Sequence, residues 1–241
     1  MSRSEHENPR QNVTFPTTRA DGDDHAHGYL ALPPGGSGPG VVVVQEWWGL
    51  TDHVVDVVDR FAAEGFVALA PDLYGGRTTH DGEEAARLLQ QLPVDRAARD
   101  LAGAVDHLLG MPEVTSPAVG AVGFCMGGRF VLVLAAQQGG RIGAAVPWYG
   151  LAPAETDFSG LRAAVLGHFG EQDRSVPLEG VRATAEAIRA ATGTEPEFHL
   201  YPAGHAFYND ERPGYDRGSA ELAWGRTTAF LREHLPARST S

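Results

Sequence analysis

Residues 118–130 read AVGAVGFCMGGRF. A run of small and β-branched apolar residues leads into the chain's single cysteine, Cys125, and a glycine pair follows. The run predicts a strand buried on both faces. MGGRFVLVLAAQQGG (126–140) predicts a buried helix ended by glycines. The cysteine therefore sits on a strand-to-helix turn, in the pattern Gly123-Phe124-Cys125-Met126-Gly127. Serine holds this place in the G-x-S-x-G nucleophile elbow. Glycines two positions to either side suit a strained turn in which any side chain would strike a neighbouring strand or helix. The helix N-terminus beside the sulfur favours thiolate. A lone thiol can also be core filler or a redox handle. The Gly-x-Cys-x-Gly-Gly setting points to a nucleophile.

Outward from this turn, strands and helices alternate. GVVVVQE (40–46), FVALAP (66–71), IGAAVPWYG (142–150), AAVLGHFG (163–170) and EPEFHLYPAGH (195–205) read as strands. LTDHVVDVVDRFAAEG (50–65), EEAARLLQQL (83–92), VDRAARDLAGAVDHLLG (94–110), EGVRATAEAIRAATG (179–193) and GSAELAWGRTTAFLREHL (218–235) read as helices. PPGGSGPG (33–40) is a turn into a strand, not a domain boundary. The alternation predicts an α/β fold, a mainly parallel sheet with helices on both faces. Functional residues in such sheets gather past the carboxyl ends of the strands.

The chain has 241 residues, 42% hydrophobic, with a formal net charge of -12. That suits one α/β domain over 25–241, preceded by a polar, partly loose segment at 1–24. The acidic balance argues against nucleic acid and anionic membrane surfaces. No apolar run reaches the ~20 residues that span a bilayer. The polar start, MSRSEHENPRQ, lacks the apolar region of a secretory signal. One cysteine forms neither an internal disulfide nor a metal-binding Cys pair. The expectation is a cytoplasmic protein without metal or cofactor, a monomer or a weak homodimer.

Two strand ends downstream carry the residue types that a nucleophile needs. VLGHFGEQDRSVP brings Asp173, and FHLYPAGHAFYND brings His205 between small neighbours. The order nucleophile, acid, histidine is that of an α/β-hydrolase triad. His168 and His199 lie inside their strands, as packing or rim residues. His205 would hold the thiol proton, and Asp173 would fix its tautomer. The Met126 amide would form half of an oxyanion hole, with the Trp47 amide as the other half. Glu46 ends an apolar strand. Read alone, it is either an exposed strand-end carboxylate or a desolvated group with a raised pKa.

These residues together resemble the dienelactone hydrolase family of α/β-hydrolases. The matching pieces are VVVVQEWWGL (41–50), ALAPDLYGG (68–76), GAVGFCMGGR (120–129), PWYG (147–150), HFGEQDRSVP (168–177) and YPAGHAFYND (201–210), in family order. The resemblance implies a single-domain enzyme that hydrolyses a small ester or lactone through Cys125, Asp173 and His205, without cofactor. It also implies that Glu46 is the family's glutamate near the thiol, associated with thiol activation when substrate binds. Family members acting on dienelactone hold its carboxylate with arginines, one of them four residues past the catalytic histidine. Here that position is Asn209, so Arg77 after DLYGG or Arg212 is left for the role. Tyr74, Trp48, Trp148, Tyr149 and Phe207 fall near strand ends and are expected to line the substrate pocket with Arg77 and Asn209. Two other classes stay open: a non-enzymatic receptor on the same fold, and a redox sensor built on the thiol.

Overall fold

A computed structural model describes residues 9–17 and 25–238. Five strands form the centre of the sheet because they are apolar at every position or nearly so. They are Gly40–Val44, Val67–Pro71, Val119–Phe124, Ile142–Trp148 and Ala164–Gly170. Two strands precede them in the chain and one follows, so these eight are β1 (Val13–Pro16), β2 (His25–Ala31), β3 (Gly40–Val44), β4 (Val67–Pro71), β5 (Val119–Phe124), β6 (Ile142–Trp148), β7 (Ala164–Gly170) and β8 (Glu197–Tyr201). The sheet order is β1-β2-β4-β3-β5-β6-β7-β8. β1 and β2 run antiparallel to their neighbours, and every pairing from β4 across to β8 is parallel.

The helices are α1 (Asp52–Ala63), α2 (Gly82–Gln91), α3 (Val94–Gly110), α4 (Met126–Gln138), α5 (Leu178–Thr192) and α6 (Arg217–His234). Strand side chains alternate between the sheet's two faces. Val42 and Val44 pack with Leu101, Val105, Val131 and Ile188 from α3, α4 and α5. Val41 and Val43 pack with Val54, Val58, Phe61 and Leu231 from α1 and α6. The expected α/β architecture, helices on both faces of a mainly parallel sheet, is what the chain adopts.

Part of the N-terminal expectation needs correction. Residues 1–8 and 18–24 lie outside the described residues, but Val13–Pro16 is a strand and not a loose segment. It extends the sheet through β2, and Phe15 is fully buried and stacks on His107 of α3. The folded unit therefore begins before residue 25.

Register sets up the site. Val44 of β3 pairs with Gly123 of β5, so the segment Glu46–Trp47 leaves the sheet beside the Cys125 turn. Gly170 of β7 pairs with Tyr201 of β8, so the loops carrying Asp173 and His205 leave side by side at the same rim.

Candidate active site

Cys125 lies between β5 and α4 with φ 54° and ψ -114°, a backbone conformation unfavourable for a residue with a side chain. Its neighbours hold it there. Its N–H donates to the Trp148 carbonyl at 3.0 Å. A Cβ on Gly123 would stand 2.3 Å from the Gly127 carbonyl oxygen, and one on Gly127 would stand 2.2 Å from the Val44 oxygen. Both contacts are with backbone, so only glycine allows α4 to approach the sheet this closely.

Three segments far apart in sequence converge on the sulfur. His205 Nε2 lies 3.2 Å from Cys125 Sγ, and His205 Nδ1 lies 2.7 Å from Asp173 Oδ2. Asp173 is itself fixed. Its Oδ1 accepts the Ser175 N–H at 2.7 Å and the Val176 N–H at 3.1 Å. Its side chain is fully buried, whereas that of His205 is 28% exposed. Burial alone would push the imidazole pKa down. Hydrogen bonds to the Asp173 carboxylate and to the sulfur outweigh it and push the value up to about 10. The Tyr149 ring meets the imidazole edge-on with centroids 5.3 Å apart.

Glu46 is a buried carboxylate, not an exposed strand end. Asn209 Nδ2 donates to its Oε2 at 2.6 Å, while Oε1 is buried with no hydrogen-bond partner among the described residues. Burial raises its pKa. His53, the Asn209 amide, His205 and Arg212 act in the opposite sense.

A cavity of about 450 Å³ opens over the thiol. Glu46, Trp47, Cys125, Met126 and His205 line it, as do the expected Trp48 and Tyr149. Five expected pocket residues do not. Arg77 turns outward to Glu84 at 2.8 Å and to Gln91 at 3.4 Å. The Tyr74 hydroxyl donates to Met126 Sδ at 3.4 Å, which places the ring beneath the pocket wall. Trp148 and Phe207 are fully buried, their rings 5.8 Å apart in the core that faces α1 and α6. Asn209 is spent on Glu46. In each case a core or surface partner claims the side chain before the pocket can.

Two arginines line the cavity, and the guanidinium carbon of Arg212 lies 3.7 Å from the centroid of the Trp48 ring. The other is Arg129. Arg129 was not singled out from the sequence, although its position one helical turn after Cys125 was a usable signal. The Ser175 and Val176 amides that hold Asp173 had no such signal.

The sequence model of the dienelactone hydrolase family matches residues 26–235. The chain belongs to that family. This family member is 34% identical over 217 residues to "Protein usf" of Aquifex pyrophilus, covering 86% of this chain and 93% of that one. It is also 34% identical over 232 residues to a Salmonella typhimurium protein named "Putative carboxymethylenebutenolidase", covering 89% and 85% of the two chains. Among solved structures, a dienelactone hydrolase-like promiscuous phosphotriesterase from metagenomic libraries superposes with a TM-score of 0.78 at 29% identity, covering 93% of this chain and 98% of that one. The family and its relatives make this chain a hydrolase of the α/β-hydrolase fold. No helix among its described residues is long and apolar enough to cross a membrane.

Proposed function

We propose that this dienelactone hydrolase family member cleaves small carboxylic esters or lactones through a Cys125-His205-Asp173 triad and a thioester intermediate. The observation that carries the reading is the unbroken chain from sulfur to imidazole to carboxylate, 3.2 Å and 2.7 Å long. His205 Nε2 takes the thiol proton and Cys125 Sγ attacks the substrate carbonyl carbon. The Met126 N–H, in the first turn of α4 where backbone amides have no intrahelical acceptor, and the Trp47 N–H hold the oxyanion. Collapse breaks the ester C–O bond, and the leaving alkoxide takes the proton from His205. Water, deprotonated by His205, then attacks the thioester and releases the carboxylic acid and the thiol. Asp173 keeps the imidazole aimed and supports its positive charge.

The stacked Arg212 and Trp48 favour a substrate with a carboxylate or a flat ring on that side. The same pair supports acceptance of dienelactone-like acids in spite of Asn209. The test is turnover of aryl esters and lactones by wild type and by Cys125→Ala. Turnover in the wild type, abolished in the variant, is the expected result. Equal turnover in both would remove Cys125 from the reaction. Silence across the panel would favour a receptor, and peroxide-sensitive thiol loss without ester cleavage would favour a redox sensor.

A further inference from the structure

The cavity over Cys125 does not end at the thiol. A second hollow of about 720 Å³ continues from it, and both share Trp47, Cys125, Met126 and Arg129. The sulfur thus stands at a junction. The two sides differ in chemistry. The first holds Glu46, His205 and Arg212. The second runs between α4 and the junction of α2 with α3, along Leu89, Val94, Phe130 and Val133. Apart from Cys125 and Arg129, which it shares with the first cavity, and an acidic rim at Glu155 and Asp157, it presents no titratable group among its lining residues.

Leu89 and Val94 are large apolar residues left 37% and 63% exposed. Both face the hollow, where an apolar ligand group would take them out of water. An ester whose carbonyl carbon meets Cys125 Sγ has two arms, and the junction offers each arm its own side.

We infer that the hollow between α4 and the α2–α3 junction binds an uncharged apolar arm of the ester, a chain of four or more carbons or an aryl group, while the polar arm turns toward Arg212. The inference rests on Cys125 being the reacting group. The acidic rim sets the direction, because a carboxylate on the apolar arm would meet Glu155 and Asp157 in this hollow, whereas Arg212 lines the first cavity and not the second.

The test is kcat/KM across two series, p-nitrophenyl acetate, butyrate and hexanoate for the acyl arm, and ethyl, butyl and hexyl acetate for the alcohol arm. In one series the six-carbon member should exceed the shortest by at least about tenfold, a modest part of the roughly fourfold per methylene that full burial allows. Val94→Asp puts a charge at the mouth of the hollow. It is an exposed position in the first turn of α3, where an acid suits the helix dipole and the fold is retained. Val133→Trp fills the hollow from the half-buried face of α4. Each substitution should cut the chain-length preference to below about threefold. If Val133→Trp does not fold, Val94→Asp decides alone. Cleavage of short esters with no chain preference in either series, or a preference that survives the variants, overturns the inference and leaves the triad standing. A wild type that cleaves none of the esters overturns the reading of Cys125 itself, and the inference with it.

Discussion

Replacing Asp173 by Asn keeps the shape of the site and removes one charge. The Asn Oδ1 still accepts the Ser175 and Val176 amides, so the loop after β7 keeps its turn. What changes lies on the other side. A carboxylate 2.7 Å from His205 Nδ1 becomes an amide, which donates where the wild-type residue accepts. The cost follows from the geometry. With N and O at 2.7 Å, the centres of the two delocalised charges stand about 4 Å apart, and at an effective dielectric of about 20 their attraction is about 4 kcal/mol. That attraction keeps His205 an imidazolium beside the thiolate, both in the resting site, where its pKa is about 10, and on the way to the tetrahedral intermediate, so without it the pair falls back toward neutral thiol and imidazole. Losing the attraction lowers kcat/KM by about 10³-fold, and the wrong tautomer takes the loss toward about 10⁴-fold. The assay is p-nitrophenyl acetate hydrolysis, with a thermal melt to show that the variant is folded. Stability gives a second readout. The His205 pKa is raised from 6.5 to about 10, so its contribution to stability is fully present below about 6.5 and is lost as pH rises through about 10. The stability gap between wild type and Asp173→Asn should therefore be widest near neutral and mildly acidic pH and close by about pH 10. A loss of less than tenfold in kcat/KM by a folded variant would refute the argument, because the carboxylate would then not be supporting the imidazole.

Two further substitutions probe the surroundings of the thiol. Glu46→Gln removes an ionisable group from a fully buried position. The Glu46 pKa is raised above 4.5, so the stability tied to its neutral form is present below 4.5 and lost as pH rises through the folded value. The variant should gain a few degrees in Tm over wild type as pH goes from acidic to neutral, while turnover falls. Parallel Tm curves would show that the carboxylate carries no such penalty. Gly127→Ala sets a methyl group 2.2 Å from the Val44 oxygen. It should cost about 3 kcal/mol or more, read as a Tm lower by roughly 6–12 °C, and a shift under 2 °C would mean that α4 can retreat without strain.

The strands at the centre of the sheet were legible because being buried on both faces leaves a continuous apolar run, as in GVVVV. β2 was not. Its inward residues include Ala26 and Gly28, too small to mark an alternation, and the reason lies outside the strand, since a Cβ on Gly28 would stand 2.5 Å from the Ala70 oxygen of β4. β1 is four residues long and is recognisable as a strand only once β2 is beside it.

Sequence by itself determined the alternation of strands and helices, the glycine-flanked turn that carries the sulfur, and the order of Cys125, Asp173 and His205 along the chain. Distant contacts enforce several of those features, but each leaves a local trace, a continuous apolar run or a fixed spacing of glycines around the cysteine. Which side chains face the pocket was decided by the tertiary structure alone. Trp148 and Phe207 went to the core, Arg77 to Glu84, and Asn209 to Glu46, 163 positions away. Arg212, not Arg77, reached the cavity, because loops from separate strand ends meet there. A side chain's direction at a strand end depends on which distant partner reaches it first, and no local pattern records that partner.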